Sequence, residues 1–600
     1  MKKNRSHLAE ILIPLACILY TSFFSDSGWI PHDEGVLAQA AERLLHGERP
    51  HVDFNETYTG GLNYLHAFAF KLLGTHLLAM RGMLLFFTAI YFFTLYFFLR
   101  KKLRTWEATL LLLLAAAWGP PNYFSGLPSW YVFFFSFFSF LFLDRFNRLN
   151  QRTALFFAGV FSALSFLMKL PGIYMVGAGY LFLAYIHRRF RPLAVLLATA
   201  APLAVLQIIS PKLSIETVFY FLCPALLAAV PLLYRARDIE FEAQPEKKAG
   251  LDLIAFTLGV FIPVSLFMIP YLALDGGISS LFNGIFVTPR ARYDQAFYPL
   301  PPIQTSLAGL PVLLATLLLL FREKKKPIST FEAVVLQLPL LTLILCFLVS
   351  HQIYSFTWWT ARTLPFLAVF GLVISITRKK EQTVATENEG RSIYLVVCTL
   401  ALFTLIQFPY SFGIYFIYGF GFLIPALAFL LGSNLREVRI ATQLLVMFFI
   451  GFGFFFLHPG DIRTKGVAFT SANNQFEIES EKSRLRVNPA DAWNYSLLLE
   501  FMRENPPNDR IFAGPDSPEV YFLADKKNLT PILYEFFNPK DGSETEIIRR
   551  MSGSEIQLAV INLFPEFSRP FSKEFHASLH SLFKEKQRIG KFLIYFNRRQ

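Results

Sequence analysis

Long apolar runs, separated by short basic loops, fill the chain from its start to about residue 457. Many of these runs reach about 18 residues or more, which is enough to cross a bilayer as a helix. Further runs follow the first one, so we interpret it as a retained anchor and not as a cleaved signal peptide. The pattern predicts a polytopic α-helical membrane protein with roughly 13–15 transmembrane helices in residues 1–457.

The pattern changes in residues 458–600, where short apolar stretches alternate with amphipathic ones. Asn488 is a suitable N-cap for a helix that begins at Pro489. The predicted strands are 510–513, 557–561 and 591–596, and the further predicted helices are 544–551 and 572–582. We therefore expect a small extracytoplasmic α/β domain. Its sequence has neither a Gly-rich phosphate loop nor clustered histidines, which favours a covering or acceptor-binding role.

The stretch between the first two apolar runs, residues 27–76, carries the densest polar pattern. Asp33 and Glu34 follow the first run, and helical spacing continues from them to Gly47. One face of this helix holds Val36, Leu37, Ala40, Ala41, Leu44 and Leu45, and the other holds Gln39, Glu42, Arg43 and His46. The pattern predicts an amphipathic helix that lies along the membrane surface. Asp33 is interpretable as its N-cap, and a capping carboxylate can at the same time take part in a reaction on a lipid head group.

The distribution of charge indicates how the apolar runs are oriented. The chain has a formal net charge of +13, and its basic residues cluster in short loops between the runs. Lys2, Lys3 and Arg5 precede the first run, so the positive-inside rule places the N-terminus in the cytoplasm. The same rule places outside the loops 27–76, 119–128 and 275–304, and everything after about residue 458. Membrane orientation therefore explains the basic charge better than nucleic-acid binding does.

One reaction that a carboxylate at Asp33 could serve is glycosyl transfer from a lipid phosphate. The carboxylate would deprotonate or orient the acceptor hydroxyl, and the leaving phosphate would need cations. The candidate cations near the outer face are Arg290, Arg292, Lys169, Arg362 and Arg81. Four of these candidates have a structural alternative. Arg290 and Arg292 can form a solvated or head-group-facing loop, and Lys169 can extend to the interface. Arg81 can pair with Asp33 or Glu34.

Other polar residues are candidates for a substrate pocket. They are Asn55, Glu56 and Tyr58 of the first loop, and Tyr293 beside the external arginine pair. The alternative for the first three is a turn that precedes Gly60 and Gly61.

No metal cofactor is expected. His32, His51, His66 and His76 are scattered through the first loop, and their spacing fits no ligand motif. A divalent ion held by these histidines and the acids is the alternative. The four cysteines lie within apolar runs, which argues against a disulfide framework or a cysteine metal site.

The first loop resembles the GT-C superfamily of membrane glycosyltransferases. The match is to the family-39-like branch, which includes protein O-mannosyltransferases and is related to aminoarabinose transferases. The residues that carry it are Asp33-Glu34-Gly35, the helix to Gly47, Arg49-Pro50, Asp53-Phe54 and the stretch from Tyr64 to Gly74. Further matches are 128–131, Lys169 before Gly172, and 511–523 in the tail, the last resembling bacterial members.

The resemblance implies a sugar donor linked to polyprenyl phosphate and used from the outer leaflet. It also implies inversion at the anomeric carbon, with Asp33 as the essential acid. Basic residues of later external loops would hold the phosphate, a role carried over to Arg290 and Arg292. Two segments depart from the family pattern. Residues 119–128 lack the acid that several relatives have, and residues 408–415 lack the Arg, Asp and His of bacterial relatives.

These observations predict an inverting glycosyltransferase of the bacterial inner membrane that acts on the periplasmic face, with Asp33 and Glu34 as catalytic residues. Its expected partners are the polyprenyl-phosphate sugar, membrane lipids, and an acceptor that is a glycan, a lipid or a protein. Nucleic acid is not expected. The alternatives are a transporter or flippase of a lipid-linked sugar, which would place paired charges near the bilayer midplane, and a non-catalytic scaffold that binds a lipid glycan.

Overall fold

The structure is a computed structural model of the 600-residue chain. It describes residues 7–187, 191–237, 246–291, 297–306, 361–377, 384–433, 436–455, 474–505, 507–528, 530–535, 543–554 and 556–597. The predicted boundary between residues 457 and 458 falls outside these ranges.

The described part of the membrane region is helical. The helices before residue 240 are α1 (His7–Ser22), α2 (Pro31–Leu45), α3 (Gly61–Leu73), α4 (Leu77–Arg100), α5 (Thr105–Ala117), α6 (Pro128–Leu149), α7 (Arg152–Met168), α8 (Ile173–Ile186), α9 (Arg191–Ile209), α10 (Ile215–Thr217) and α11 (Cys223–Arg237). After them come α12 (Glu246–Leu272), α13 (Gly277–Phe282), α14 (Ile303–Ser306), α15 (Leu364–Thr377), α16 (Val384–Phe403), α17 (Gly413–Phe420), α18 (Leu423–Leu431) and α19 (Arg436–Phe455).

These helices confirm the prediction of a multi-pass membrane protein. Among the described residues, six helices are long and apolar enough to cross a bilayer, and a seventh span results if α17 and α18, bent by 52°, count as one. Six shorter apolar helices accompany them. The predicted total of roughly 13–15 spans also counted apolar runs in residues 307–360, which lie outside the described ranges.

Small residues allow the helices that carry the site to approach closely. Ser136 and Ser139 of α6 share hydrogen bonds of 2.8 Å with Ser165 and Ser162 of α7. At Gly159, where α7 crosses α12, an added Cβ would lie 2.2 Å from the carbonyl oxygen of Phe256. Close backbone contact and buried hydroxyl pairs are typical of helix association in membranes. They fix the end of α7, after which Lys169 follows.

The C-terminal region forms a small mixed sheet with helices. Its helices are α20 (Pro489–Glu504), α21 (Pro518–Leu523), α22 (Glu544–Ser552) and α23 (Lys573–Leu582). Its strands are β1 (Phe476–Glu477), β2 (Arg486–Val487), β3 (Arg510–Gly514), β4 (Lys527–Asn528), β5 (Leu558–Asn562), β6 (Glu585–Ile589) and β7 (Phe592–Phe596). The five-stranded sheet has the order β4-β3-β5-β7-β6, with β3 parallel to both neighbours and β7 antiparallel to both of its own.

The predicted elements of this region are confirmed, and Asn488 caps α20 by accepting from the Asp491 N–H at 2.9 Å. Sequence analysis did not predict β6. Its residues, Glu585–Ile589, are mostly exposed at the edge of the sheet, so they lack the alternating apolar pattern of a half-buried strand.

The structure corrects the prediction for α2. The helix ends before Gly47 as expected, but it does not lie exposed at a membrane surface, because every residue from Glu34 to Arg43 is buried. The C-terminal helix α21 packs on it, and Lys482 pairs with Glu42 on its polar face at 2.5 Å. The polar face therefore meets the C-terminal region and not water. Asp33 is also not the N-cap, since α2 begins at Pro31 behind Ile30.

Gly35 is the point of closest approach between α2 and α21. A Cβ added there would lie 2.5 Å from the backbone nitrogen of Glu519. We expect Gly35→Ala to destabilise the protein by about 1–3 kcal/mol through overpacking, measured as a lower thermal unfolding midpoint in detergent. Gly250→Ala is the matched control, because an added Cβ there meets nothing within 4 Å. An unchanged midpoint for Gly35→Ala would show that α21 is not docked this closely.

Candidate active site

A cavity of about 430 Å³ lies between the membrane helices and the C-terminal region. Residues from the whole described chain line it: the first loop, residues 123–129, residues 169–174, Ile208 of α9, residues 285, 289 and 297, the segment 406–418, and residues 534 and 566–567 of the C-terminal region. Aromatic side chains dominate its walls. Among the described residues, its charged lining groups are Asp33, Lys169 and Glu566. The predicted acid and one predicted cation therefore line the same space.

Asp33 lies in the first turn of α2, and two tyrosines hold its carboxylate. The Tyr123 hydroxyl donates to Oδ2 at 2.5 Å, and the Tyr534 hydroxyl donates to Oδ1 at 3.3 Å. The imidazole Nε2 of His32 is 3.8 Å from Oδ1. The carboxylate side chain is 12% exposed, so it is oriented by its neighbours while it still faces the cavity.

Lys169 follows the last residue of α7, where the chain turns into a short 3₁₀ segment, Leu170–Gly172. Its Nζ donates to the Ser129 hydroxyl at 3.1 Å. The ammonium lies 5.0 Å from the ring centroid of Tyr415 and 5.4 Å from that of Tyr58. Aromatic faces stabilise a desolvated cation at such distances. Lys169 is thus a positive charge held at the wall of a largely aromatic cavity, where an anionic group can approach it.

The first loop is packed so that Tyr58 reaches this cation. The Thr59 hydroxyl donates to the Leu167 carbonyl at the end of α7. The buried carboxylate of Glu56 accepts from the Tyr58 N–H at 2.8 Å and from the Asn63 amide at 2.5 Å. Of the pocket residues predicted in this loop, Tyr58 lines the cavity, whereas Glu56 supports the turn.

Asn55 serves a different contact. Its backbone N–H donates to the Pro531 carbonyl of the C-terminal region at 2.7 Å. It therefore links the first loop to that region, and its side chain is not part of the cavity wall.

The structure places Glu34 and Arg81 away from the cavity, which corrects their assignment to the site. Both side chains are fully buried, and the guanidinium donates to the two carboxylate oxygens at 2.7 and 2.6 Å. Arg81 also donates to the carbonyls of Ser25, Ser27 and Gly28 at 2.6–3.2 Å. The pair fixes the chain between α1 and α2, as the structural alternative for Arg81 predicted.

The remaining predicted cations have different positions. Arg362 is buried, and its Nη1 donates to the Ser411 carbonyl at 2.6 Å, so it supports the 408–412 segment that lines the cavity. The backbone of Arg290 lies in the short helix Thr288–Ala291, beside Pro289 of the cavity wall. The side chain of Arg290, and Arg292 and Tyr293 entirely, lie outside the described residues.

The first-loop histidines do not converge. His66 is fully buried, and burial lowers the pKa of its imidazole to about 3. His76 caps α4 by accepting from the Ala79 N–H at 3.0 Å. Over the described ranges, no group of three or more His, Cys, Asp or Glu side chains has the arrangement of a metal site.

Sequence analysis missed several residues that line the cavity, namely Tyr123, Tyr415, Tyr534, Glu566 and Phe567. Tyr123 lies in the loop that lacks the acid of the family pattern, and Tyr415 lies in the segment that lacks its Arg, Asp and His. Tyr534 is 501 positions from Asp33 along the chain, so no local pattern connects the two.

Helix α21 carries a further buried carboxylate. Glu519 is 1% exposed, and the Tyr495 hydroxyl donates to its Oε1 at 2.6 Å. Burial raises the pKa of this carboxyl to about 7. Glu519 does not line the cavity, and its position beside Gly35 indicates a structural role at the contact between α21 and α2.

Comparisons with known proteins found no matching family model and no matching curated protein. Two solved structures are similar to the chain. One is the archaeal oligosaccharyltransferase AglB from Archaeoglobus fulgidus, in complex with an inhibitory peptide and a dolichol-phosphate, at 13% identity and a TM-score of 0.36. The similarity covers 92% of this chain and 69% of that one. The other is ArnT from Cupriavidus metallidurans bound to undecaprenyl phosphate, at 10% identity and a TM-score of 0.35, covering 98% and 97%.

At these scores the similarity assigns neither a reaction nor a residue role to this chain. The geometry of the cavity is therefore the basis for assigning a function to this chain.

Proposed function

We propose that the protein is an inverting glycosyltransferase that moves a sugar from a polyprenyl-phosphate donor to an acceptor hydroxyl on the periplasmic face of the bacterial inner membrane. The observation that carries the proposal is that Asp33 and Lys169 line one cavity between membrane helices and the C-terminal region. A base for the acceptor and a cation for the phosphate are the two groups that this reaction needs.

In the proposed reaction, Asp33 accepts the proton of the acceptor hydroxyl. The acceptor oxygen forms a bond to the anomeric carbon, while the bond from that carbon to the phosphate oxygen breaks. The lipid phosphate leaves with the electron pair, and Lys169 stabilises its additional negative charge. One displacement at the anomeric carbon inverts its configuration. The two tyrosines keep both carboxylate oxygens oriented toward the cavity.

The apolar part of the lining fits the lipid end of such a donor. Ile208 of α9, Ile285 and Ile406 contribute apolar side chains to the wall. A polyprenyl chain that lies along these side chains would place its phosphate near the polar groups of the cavity. Apolar walls with a few polar groups that fix orientation are typical of ligand sites.

The test is a donor panel. Purified protein in lipid nanodiscs is incubated with a series of polyprenyl-phosphate sugars and a membrane extract as acceptor, and donor consumption and labelled product are measured. Consumption of one donor with a new glycosylated product supports the proposal. If no donor is consumed and a lipid-linked sugar instead crosses the bilayer of sealed vesicles, the protein is a transporter. Binding without either event identifies a scaffold.

Removing the cation should weaken use of the donor. We expect Lys169→Met to lower kcat/KM for the donor by about ten- to a hundredfold, because a charge-assisted hydrogen bond to phosphate contributes about 1.5–3 kcal/mol. The measurement is initial rate against donor concentration. Lys102→Met is the matched control, because Lys102 also lies over an aromatic ring, that of Phe429 at 4.1 Å, and does not line the cavity. Equal rates for the two variants would show that Lys169 does not bind the donor phosphate.

A further inference from the structure

The C-terminal region builds the part of the cavity wall that adjoins Asp33. Tyr534 and Phe567 form an aromatic wall, and both line the cavity together with Glu566. Their ring centroids are 6.1 Å apart, with the ring planes nearly perpendicular at 88°. The imidazole of His32, next to Asp33 in the chain, lies 5.0 Å from the Phe567 ring. The aromatic wall is therefore adjacent to the proposed base.

Hydrogen bonds and packing hold this wall in place. The buried carboxylate of Asp516 accepts from the N–H groups of Phe567 and Ser568 at 2.9 and 2.6 Å, and from the Ser568 hydroxyl at 2.7 Å. Tyr534 belongs to a small apolar cluster with Val36 and Ala40 of α2, Phe54 and Leu533. A wall fixed from both sides can present its rings to a ligand without first paying the entropy of ordering them.

Among the described lining residues, the two acids are charged groups that adjoin the wall. Asp33 and Glu566 are carboxylates, whereas Lys169, the cation among the described lining residues, is held by Ser129, Tyr58 and Tyr415 of the membrane region. A phosphorylated acceptor at the wall would bring like charges together, which disfavours binding when they are not compensated. The described wall thus favours an acceptor that carries hydroxyls and no negative charge.

Resting on the proposed function, we propose that the aromatic wall and Glu566 form the acceptor subsite, and that the acceptor group bound there is an uncharged sugar ring. The C–H face of a sugar packs on an aromatic ring, which buries apolar area without loss of hydrogen bonds. Its hydroxyls donate to Glu566 and to Asp33. The same contacts orient one hydroxyl toward the base.

Binding of simple glycosides tests the subsite without any donor. Saturation-transfer NMR is recorded on the full chain in nanodiscs with methyl α-mannoside and methyl β-N-acetylglucosaminide, with the 6-phosphate of each sugar, and with a serine-containing peptide. We expect transfer to ring protons of at least one neutral glycoside and at least a tenfold weaker signal for its phosphate. A stronger signal for the phosphorylated sugar or for the peptide would overturn the proposal.

Variants locate the binding. Phe567→Ala should abolish the glycoside signal, and Phe564→Ala should leave it intact, because Phe564 is 68% exposed in the same segment and does not line the cavity. Glu566 is exposed. Glu566→Gln should reduce the difference in saturation-transfer signal between the neutral and the phosphorylated sugars. A signal that is equal in wild type, Phe567→Ala and Phe564→Ala would overturn the proposal.

The experiments distinguish failure of the glycosyltransferase proposal from failure of the acceptor-subsite proposal. Glycoside binding through Phe567 without donor consumption contradicts the glycosyltransferase alone. Donor consumption without Phe567-dependent glycoside binding contradicts the subsite alone.

Discussion

Asp33→Asn is expected to reduce the rate of sugar transfer by about 10²- to 10⁴-fold, the range that general-base catalysis contributes. The amide keeps the shape of the side chain and its place between Tyr123 and Tyr534, but it cannot accept the proton of the acceptor hydroxyl. The measurement is product formation under saturating donor and acceptor, together with donor binding. We expect donor binding to change little, because the phosphate is assigned to Lys169.

Asp26→Asn is the matched control for this variant. Asp26 lies seven residues before Asp33 in the chain, but it pairs with Arg486 at 2.7 Å, where both side chains are more than 40% exposed. An exposed ion pair contributes about 0–1 kcal/mol, so the loss of this charge should leave transfer and stability nearly unchanged. If Asp33→Asn retains full activity while Lys169→Met is impaired, another group is the base, and the proposed role of Asp33 is wrong.

Local pattern was sufficient to locate the first part of the site. An acid at the start of an amphipathic helix, after an apolar run, needs no tertiary information to be noticed. Lys169 was found similarly, as a charge that interrupts an apolar run before Pro171 and Gly172. Both residues line the cavity because each lies at an end of a helix, where the backbone turns and a polar side chain can reach a shared space.

Adjacent acids could not be distinguished in the same way. Successive residues of an α-helix point about 100° apart, as 3.6 residues per turn require. Asp33 therefore reaches the cavity, while Glu34 points to Arg81 of another helix. From the sequence alone, either carboxylate could face the cavity while the other forms a buried ion pair. Packing between helices determines which acid remains accessible.

The burial of α2 shows a second limit of prediction from the sequence pattern. A polar helix face indicates contact with something polar, and water is the usual partner. Here the partner is the C-terminal region, which supplies Lys482 to Glu42 and the Thr530 carbonyl to Arg43. Tyr534 reaches Asp33 through the same contact. Residues hundreds of positions apart meet there, so the part of the cavity wall that the C-terminal region supplies was not predictable from local pattern.

Arg81→Met is expected to destabilise the protein by about 3–5 kcal/mol, because it leaves the carboxylate of Glu34 buried without its counter-ion. The pair is fully buried, and three backbone carbonyls lose donors in the same variant. The measurement is the thermal unfolding midpoint in a single detergent. Arg486→Ala, which breaks the exposed pair with Asp26, should shift the midpoint far less.

A double variant separates a structural role of this pair from a chemical one. Replacing both partners, as Arg81→Met with Glu34→Leu, removes the isolated charge, and buried pairs replaced by apolar residues of similar volume often regain stability. We expect the double variant to unfold at a higher temperature than Arg81→Met and to recover transfer in parallel. If the double variant regains stability but transfers sugar as slowly as Asp33→Asn, then Glu34 or Arg81 takes part in the reaction. The geometry predicts the first result, because both side chains face each other and the loop carbonyls, away from the cavity lining.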